Sequence, residues 1–118
     1  MIKVYQIQLS DVEIALINNS GDMPMEGKFK AFFDRSFESM FKAENFQYYT
    51  HVANVDVDGF EQAFRAMNLW EDDENFDRVE RLGPCSSMSV GDIVEDHNGD
   101  LYRCASFGFT RIESYQKD

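Results

Sequence analysis

The chain has 118 residues and a formal net charge of −11 at pH 7, because 22 aspartate and glutamate residues outnumber 11 lysine and arginine residues. A field of this sign repels nucleic-acid phosphates and anionic membrane surfaces, so direct binding to either is not expected. It favours a protein partner with a basic surface, although excess acid also keeps a small domain soluble without any partner.

Length and hydropathy limit the class of protein. Hydrophobic residues make up 43% of the chain, which is enough for a modest core in one domain, residues 1–118. No run of about 18 apolar residues and no charged-then-apolar amino-terminal stretch is present, so the sequence predicts no membrane span and no secretion signal. We therefore expect a soluble, cytoplasmic protein.

The cysteines and histidines do not form a metal-binding pattern. Cys85 and Cys104 are too few for a disulfide scaffold, and we expect free, largely buried thiols. Zinc needs about four ligands, usually with two at short spacing, whereas His51, His97 and the two cysteines are not close neighbours in sequence. The sequence therefore predicts no metal and no cofactor.

The amino-terminal part, residues 1–45, predicts a strand followed by helices. Ile2 to Leu9 is rich in β-forming residues, and Ser10 and Glu13 form a capping box that begins a helix extending to about Ile17. From Lys28 to Met40 an aromatic stripe at four-residue intervals predicts an amphipathic helix that packs on the core, although 36–44 is also compatible with an irregular segment. The stripe consists of Phe29, Phe33, Phe37 and Phe41.

The middle of the chain predicts a strand, a helix and a short apolar segment. Residues 46–57 are rich in tyrosine and valine and predict a second strand. Asp58 and Glu61 have the spacing of a second capping box, which predicts a helix from Gly59 to about Asn68. The acidic run 71–74 is typical of a solvated loop, and 76–82 predicts one short turn or strand.

The stretch 86–112 predicts a three-strand β-meander. Asn98-Gly99 lies between two apolar runs and favours a two-residue type I′ turn, in which both central residues have positive φ. Counting outward from that turn places Ile93 opposite Cys104, on one face of the sheet. Gly91 and Gly108 are typical of a tight turn and of a bulge or close backbone approach.

Together these elements predict an α+β fold. The expected architecture is a single compact domain with a mixed or antiparallel sheet of about four to five strands and two or three packed α-helices. The strands are the first strand, the 46–57 strand and the carboxy-terminal meander that turns at Asn98-Gly99.

The last third contains a spaced double motif, Ser87-Met88-Ser89-Val90-Gly91-Asp92-Ile93-Val94 followed by Asn98-Gly99, Tyr102 and Ser106-Phe107-Gly108-Phe109. This motif resembles the YodL-like domain family, and the resemblance extends over about residues 48–112. It implies an origin in small proteins of bacteriophages and mobile elements, or in modules encoded near antirestriction genes. No catalytic residue is implied, and the motif is expected to be structural. Its residues are Ser87, Ser89, Gly91, Asp92, Asn98, Gly99, Tyr102, Phe107, Gly108 and Phe109.

Two hypotheses of different classes follow for function. The first is a small, acidic, non-enzymatic accessory protein that binds a host or phage macromolecule, including inhibition of a host defence or nucleic-acid enzyme. A DNA-mimic version is less favoured, because it needs two lines of carboxylates spaced like duplex phosphates. The predicted acidic partner-binding surface is Glu71, Asp72, Asp73, Glu74, Glu95, Asp96 and Asp100.

The second hypothesis is a small enzyme or small-molecule binder. It would use Cys85, Cys104 or a carboxylate pair such as Asp56 and Asp58. The cysteines are better explained as buried thiols, and Asp58 is better explained as a helix cap. No catalytic residue is therefore predicted, and a pocket lined by His51 or Cys104 is the observation that would favour this hypothesis.

Overall fold

The computed structural model describes residues 1–20, 27–35, 37, 42–68 and 77–112. One sheet contains the strands β1 (Ile2–Gln6), β2 (Thr50–Val55), β3 (Val79–Arg81), β4 (Ile93–Glu95), β5 (Leu101–Cys104) and β6 (Phe109–Arg111). Their order across the sheet is β3-β2-β1-β4-β5-β6, and every neighbouring pair is antiparallel. The first strand of the chain therefore lies in the middle of the sheet.

Three α-helices and one 3-10 helix accompany the sheet in these residues. They are α1 (Asp11–Ser20), α2 (Gly27–Asp34), the 3-10 helix Ala43–Tyr48 and α3 (Phe60–Asn68). None of the helices in the described ranges has the length and apolar character needed to cross a membrane. A single antiparallel sheet with a few helices confirms the α+β class and the single compact domain.

The sheet buries apolar side chains on both faces, because β-strands point successive side chains to opposite sides. On one face Val4 and Val94 belong to the main core, which Ala63 and Met67 of α3 complete. On the other face Tyr5 clusters with residues from β4, β5 and the 3-10 helix. The members of this second cluster are Tyr5, Phe46, Tyr49, Ile93, Leu101 and Ile112.

The capping box that begins α1 is confirmed. The backbone N–H of Ser10 donates to Glu13 Oε1 at 2.8 Å, and the backbone N–H of Glu13 donates to Ser10 Oγ at 3.2 Å. The backbone hydrogen bond from Ser10 and the hydrogen bond from Lys28 lower the pKa of the Glu13 carboxyl group. The helix continues to Ser20, about one turn beyond the predicted end at Ile17.

Two predicted boundaries in the aromatic region were wrong. The helix predicted over 28–40 ends at Asp34, Phe37 of its stripe is 56% exposed and not packed on the core, and residues 36 and 38–41 lie outside the described ranges. Residues 43–48, which overlap the predicted strand 46–57, form the 3-10 helix. Phe46 and Tyr49 turn toward Tyr5, and the Tyr5 and Phe46 ring centroids lie 4.9 Å apart. Burial of these rings on the sheet outweighs the β propensity of the segment.

The predicted number of strands was also too low, because the sheet has six strands. Residues 79–81, predicted as a turn or strand, pair antiparallel with β2 and place Val79 opposite Val55. This pairing buries Val79 in the main core, and β3 forms one edge of the sheet.

The hairpin lies at the predicted place but has a different turn and register. Ile93 pairs with Arg103 and not with Cys104, so the register differs by one residue from the prediction. Gly99 has φ of +87°, whereas no non-glycine residue in the described ranges has positive φ, which excludes a type I′ turn. The Asp96 carboxylate accepts the N–H groups of Asn98 and Asp100, both at 2.9 Å, and thereby favours a three-residue loop.

Side-chain amides fasten the segment 86–92 to the core. Asn68 Nδ2 donates to the Met88 carbonyl oxygen at 3.1 Å, and the Met88 N–H donates to Asn68 Oδ1 at 2.7 Å. Gln6 makes the same pair of bonds to the Ser86 carbonyl oxygen and N–H, at 3.0 and 3.1 Å. Each amide satisfies one donor and one acceptor of an extended segment, as a neighbouring strand would.

Replacing Asn68 by alanine should lower the free energy of unfolding by about 2 kcal/mol, because both backbone groups of the buried Met88 lose their partner. Gln47→Ala is the control, since Gln47 Nε2 makes an exposed hydrogen bond to the Glu44 carbonyl oxygen. Its loss should lower the free energy of unfolding by less than about 0.5 kcal/mol, as is usual for surface substitutions. Urea denaturation of both variants measures the difference. Equal losses would contradict a fastening role for Asn68.

Candidate functional site

The predicted acidic surface is only partly present in the described residues. Glu71, Asp72, Asp73 and Glu74 lie outside those residues. Glu95 is only 5% exposed, so its placement on the surface was wrong. Its carboxylate accepts the Tyr5 hydroxyl at 2.8 Å and lies 3.7 Å from Lys3 Nζ, because β4 pairs with the central strand.

Asp96 and Asp100 lie half-exposed at the end of the β4–β5 hairpin. Asp96 holds the turn amides, and Asp100 Oδ1 accepts Arg111 Nη2 at 3.2 Å. Both carboxylates therefore have a hydrogen-bonding partner within the protein. Both lie half-exposed at the turn, whereas the Glu95 side chain is buried. A continuous acidic surface does not form from the three described members of the predicted set.

The cysteines and histidines are distributed over separate parts of the fold. Cys104 belongs to the main core on the α3 face, whereas the His51 ring lies 5.0 Å from Tyr5, a member of the other cluster. Their strands, β5 and β2, are three positions apart in the sheet, about 14 Å at the usual strand spacing. A Cys104–His51 nucleophile and base pair is therefore not formed.

The Cys104 thiol is also poorly suited to nucleophilic chemistry. Burial and the nearby negative charge of Asp92 raise the pKa of Cys104 to about 11, so the thiol is protonated at neutral pH. Cys85 is half-buried and packs against the main core. Across the described ranges no group of three or more His, Cys, Asp or Glu side chains is arranged to hold a metal ion.

His51 lines a surface cavity of about 650 Å³ near the start of α1. Two of the charged groups of this cavity pair with one another, since Lys28 Nζ lies 3.0 Å from Glu13 Oε1, and the exposed Asp11 also lines it. His51 Nε2 lies 2.7 Å from Asn54 Oδ1. Four polar groups that line the cavity, those of Ser10, Glu13, Lys28 and His51, are thus used by the capping box and by β2, whereas Asp11 and Thr50 also line it and are exposed.

The first half of the motif that resembles the YodL-like domain forms a turn in which Gly91 and Asp92 are buried. The Asp92 carboxylate accepts the Ser89 N–H at 2.9 Å and Gln6 Nε2 at 3.0 Å. Gly91 has φ of +94° and packs so closely on Arg35 that a Cβ atom there would overlap the Arg35 carbonyl group. These contacts account for Ser89, Gly91 and Asp92 as structural residues.

Arg103 joins this turn to α2. Its guanidinium group is buried, and Nε and Nη2 donate to the Arg35 carbonyl oxygen at 3.2 and 2.8 Å. The Tyr49 hydroxyl donates to the Gly91 carbonyl oxygen, and burial, together with the negative charge of Asp92, raises the Tyr49 pKa. The pKa of Asp92 rises to about 6, because burial outweighs its hydrogen bonds and the charge of Arg35.

The second half of the motif lines an open groove. The Phe60 ring centroid lies 4.8 Å from that of Tyr102 and 5.1 Å from that of Phe109, so both motif aromatics pack under α3. Between α3 and the β5–β6 turn lies a cavity of about 290 Å³, which we call the aromatic groove. It is lined by Glu61, Phe64, Arg65, Cys104, Ala105, Ser106, Gly108 and Phe109.

Two phenylalanines at the aromatic groove are exposed. Phe64 on α3 is 39% exposed, and Phe107, in the β5–β6 turn between two groove residues, is 97% exposed. The sequence motif was interpreted as structural throughout, so the exposure of the Phe107 side chain was not predicted. The available signal was its place in a tight turn before Gly108, outside the alternation of the strands.

Comparison with protein-family models, with curated proteins and with solved structures found no match to this chain. The resemblance to the YodL-like domain therefore stays a prediction. The functional interpretation depends on the geometry of the aromatic groove and on the charge of the chain.

Proposed function

We propose that this chain is a small, acidic, non-enzymatic accessory protein that binds a protein partner with a basic surface through Phe107 and the aromatic groove. The phage or mobile-element origin and the inhibition of a host defence enzyme are part of this proposal, and the resemblance to the YodL-like domain is what supports them. The observation that carries the binding function is the exposure of Phe107.

A fully exposed phenylalanine leaves a large apolar surface in water. Phe107 is 97% exposed, and burial of such a ring contributes about 1.5–3 kcal/mol. Aromatic residues beside a concave apolar surface are typical anchors of protein interfaces. Phe64 and Phe109 line the aromatic groove, and Phe107 lies in the chain between the groove residues Ser106 and Gly108, which supports binding to another macromolecule rather than a role in the core.

The charge of the chain favours a basic partner. The net charge of −11 accelerates association with a positively charged surface, and this effect weakens with salt. Glu61 and Arg65 both line the aromatic groove and are exposed, so the groove carries one acidic and one basic group, and the charge argument rests on the chain as a whole. In such an interface the aromatic side chain contributes affinity, and the negative charge of the protein accelerates association with a basic surface.

Two other versions of the function have less support. A DNA mimic needs rows of exposed carboxylates, whereas Glu95 is buried and Asp100 is ion-paired. The enzyme or small-molecule-binder hypothesis has one observation in its favour, because His51 lines the cavity near α1 and Cys104 lines the aromatic groove. A thiol enzyme, however, needs an activated cysteine, whereas the pKa of Cys104 is raised to about 11. The proposal also includes that the chain does not bind nucleic acid directly, since its net negative charge repels phosphate groups.

Phe107→Ser should abolish partner capture without affecting stability. Loss of an anchoring phenylalanine weakens an interface by about 10- to 100-fold, whereas an exposed loop substitution changes the free energy of unfolding by less than about 0.5 kcal/mol. The control is Leu82→Ser, which removes a 50% exposed apolar side chain that follows the opposite edge strand, β3.

The measurement is retention of proteins from a bacterial lysate on immobilised wild type and on both variants, with urea denaturation to compare stability. The proposal expects a protein that wild type and Leu82→Ser retain and Phe107→Ser loses, with retention that falls as salt is raised. Identical retention by Phe107→Ser and Leu82→Ser would reject Phe107 as the anchor.

A further inference from the structure

We propose that the partner docks as an extended segment that adds a seventh, antiparallel strand beside β6, with an apolar side chain in the aromatic groove and a lysine or arginine two residues away near Glu61. This inference rests on the proposed function and specifies the chemistry of the occupant. Three observations carry it: the open edge of the sheet, the position of the groove and the charge around it.

The backbone of β6 presents hydrogen-bonding groups to the outside. The Ile112 N–H donates to the Leu101 carbonyl oxygen at 2.8 Å, which marks a hydrogen-bonded pair of the β5–β6 ladder. Because such pairs alternate along antiparallel strands, Thr110 points its backbone groups toward β5, whereas Phe109 and Arg111 point theirs away. In the described part of the chain no strand pairs with β6 on that outer side.

The aromatic groove continues the surface that an added strand would occupy. Phe109 lies on the α3 face of β6 and lines the groove together with Phe64. A strand about 4.8 Å beyond β6 would place every second side chain on this same face. The residue directly opposite Phe109 both bonds to its outward backbone groups and directs its side chain over the groove.

Charge decides which residues flank the apolar side chain. Residues two apart in a strand lie on one face, about 7 Å apart, so a lysine or arginine at that spacing comes close to Glu61. Arg65 also lines the aromatic groove and is exposed, so the lining carries one negative and one positive charge, and the preference for a lysine or arginine comes from the overall charge of −11. Asp100 Oδ1 lies 3.2 Å from Arg111 Nη2 and compensates the charge of Arg111. The net charge of −11 also disfavours a second copy of this chain as the occupant.

The probe is a labelled nine-residue peptide, Lys-Thr-Val-Thr-Lys-Thr-Val-Thr-Lys, with blocked ends, which places valine and lysine on one face. Fluorescence anisotropy measures its binding to wild type and to two variants of one edge position, Arg111→Pro and Arg111→Ala. Both variants lose the ion pair to Asp100, but only proline removes the outward N–H. We expect Arg111→Ala to bind within about twofold of wild type and Arg111→Pro at least about fivefold more weakly.

Two matched peptides repeat the test from the ligand side, so the result does not depend on the folding of a proline variant. N-methylation of both valines removes the N–H groups that face β6, whereas N-methylation of two threonines removes N–H groups that face away. We expect only the valine-methylated peptide to lose binding. Glu61→Gln should also weaken binding more than Glu80→Gln, which changes the net charge equally on the far edge strand.

The outcomes separate this inference from the proposed function. If the peptide does not bind wild type, or if both methylated peptides bind alike, strand addition at β6 is wrong, even where Phe107→Ser still loses its partner in the lysate experiment. If Phe107→Ser retains the partner while strand addition holds, the edge binds and Phe107 is not the anchor. Loss with Arg111→Pro and with the valine-methylated peptide alone supports the inference.

Discussion

Replacing Gly91 by alanine is expected to lower the free energy of unfolding by about 3 kcal/mol or more, the largest single effect at an uncharged position. Gly91 has φ of +94°, and a Cβ atom there would lie 2.7 Å from the carbonyl carbon of Arg35. The Arg35 carbonyl cannot move away cheaply, because its oxygen accepts two hydrogen bonds from the buried Arg103 guanidinium group. Urea denaturation measures the loss as a lower transition midpoint, with the same m-value for the variant and the wild type.

Two other glycines separate steric overlap from backbone strain. Gly99 and Gly108 also have positive φ, +87° and +76°, but an added Cβ atom at either position meets nothing within 4 Å. Alanine at these sites should therefore cost only the conformational penalty, about 1–2 kcal/mol. A Gly91→Ala variant no less stable than Gly99→Ala would show that the contact with Arg35 does not constrain the turn.

Asp92→Asn is expected to stabilise the protein at pH 7 and to change the dependence of stability on pH. Burial raises the folded-state pKa of Asp92 from 3.8 to about 6, which corresponds to about 3 kcal/mol. The unfolded chain ionises this group near its ordinary pKa, so the stability it contributes is complete below about pH 4 and is lost as pH rises through about 6. Asparagine avoids this loss and keeps an oxygen for the Ser89 N–H and Gln6.

The measurement is the difference in free energy of unfolding between Asp92→Asn and wild type at pH 4, 5, 6 and 7. We expect this difference to rise by about 2–3 kcal/mol over the range and to level off above about pH 6. Glu13→Gln is a control of opposite sign, because the pKa of Glu13 is lowered and its contribution to stability is lost as pH falls. A pH-independent difference for Asp92→Asn would contradict a buried, costly charge.

Signals that act over a few residues predicted the local structure well. The Ser10–Glu13 capping box forms as predicted, and the helix predicted from Gly59 to about Asn68 is observed over Phe60–Asn68. Both depend on contacts within one helical turn, which the sequence specifies directly. The hairpin is intermediate: Asn98-Gly99 marked the turn, but the bonds from Asp96 to the turn amides changed its length and shifted the register by one residue.

Features that depend on distant partners were not predictable from the sequence. The role of Gly91 depends on Arg35, which lies far away in the chain, and the burial of Glu95 follows from its pairing with the central strand. For the same reason the motif did not reveal which of its phenylalanines is buried. Phe109 packs under α3, whereas Phe107 projects from the turn, and only the three-dimensional arrangement distinguishes them.

The position of β1 in the centre of the sheet also affects how the chain can be synthesised and folded. Residues 2–6 bond on one side to residues 50–55 and on the other to residues 93–95. A ribosome-bound nascent chain therefore carries an incomplete sheet until β4 has emerged, and loop closure between β1 and β4 is slow because it joins distant segments. Truncation before β4 would expose the edge of β1, which has five residues, whereas the native edge strands β3 and β6 have three each, and such an edge is a template for intermolecular β pairing and aggregation.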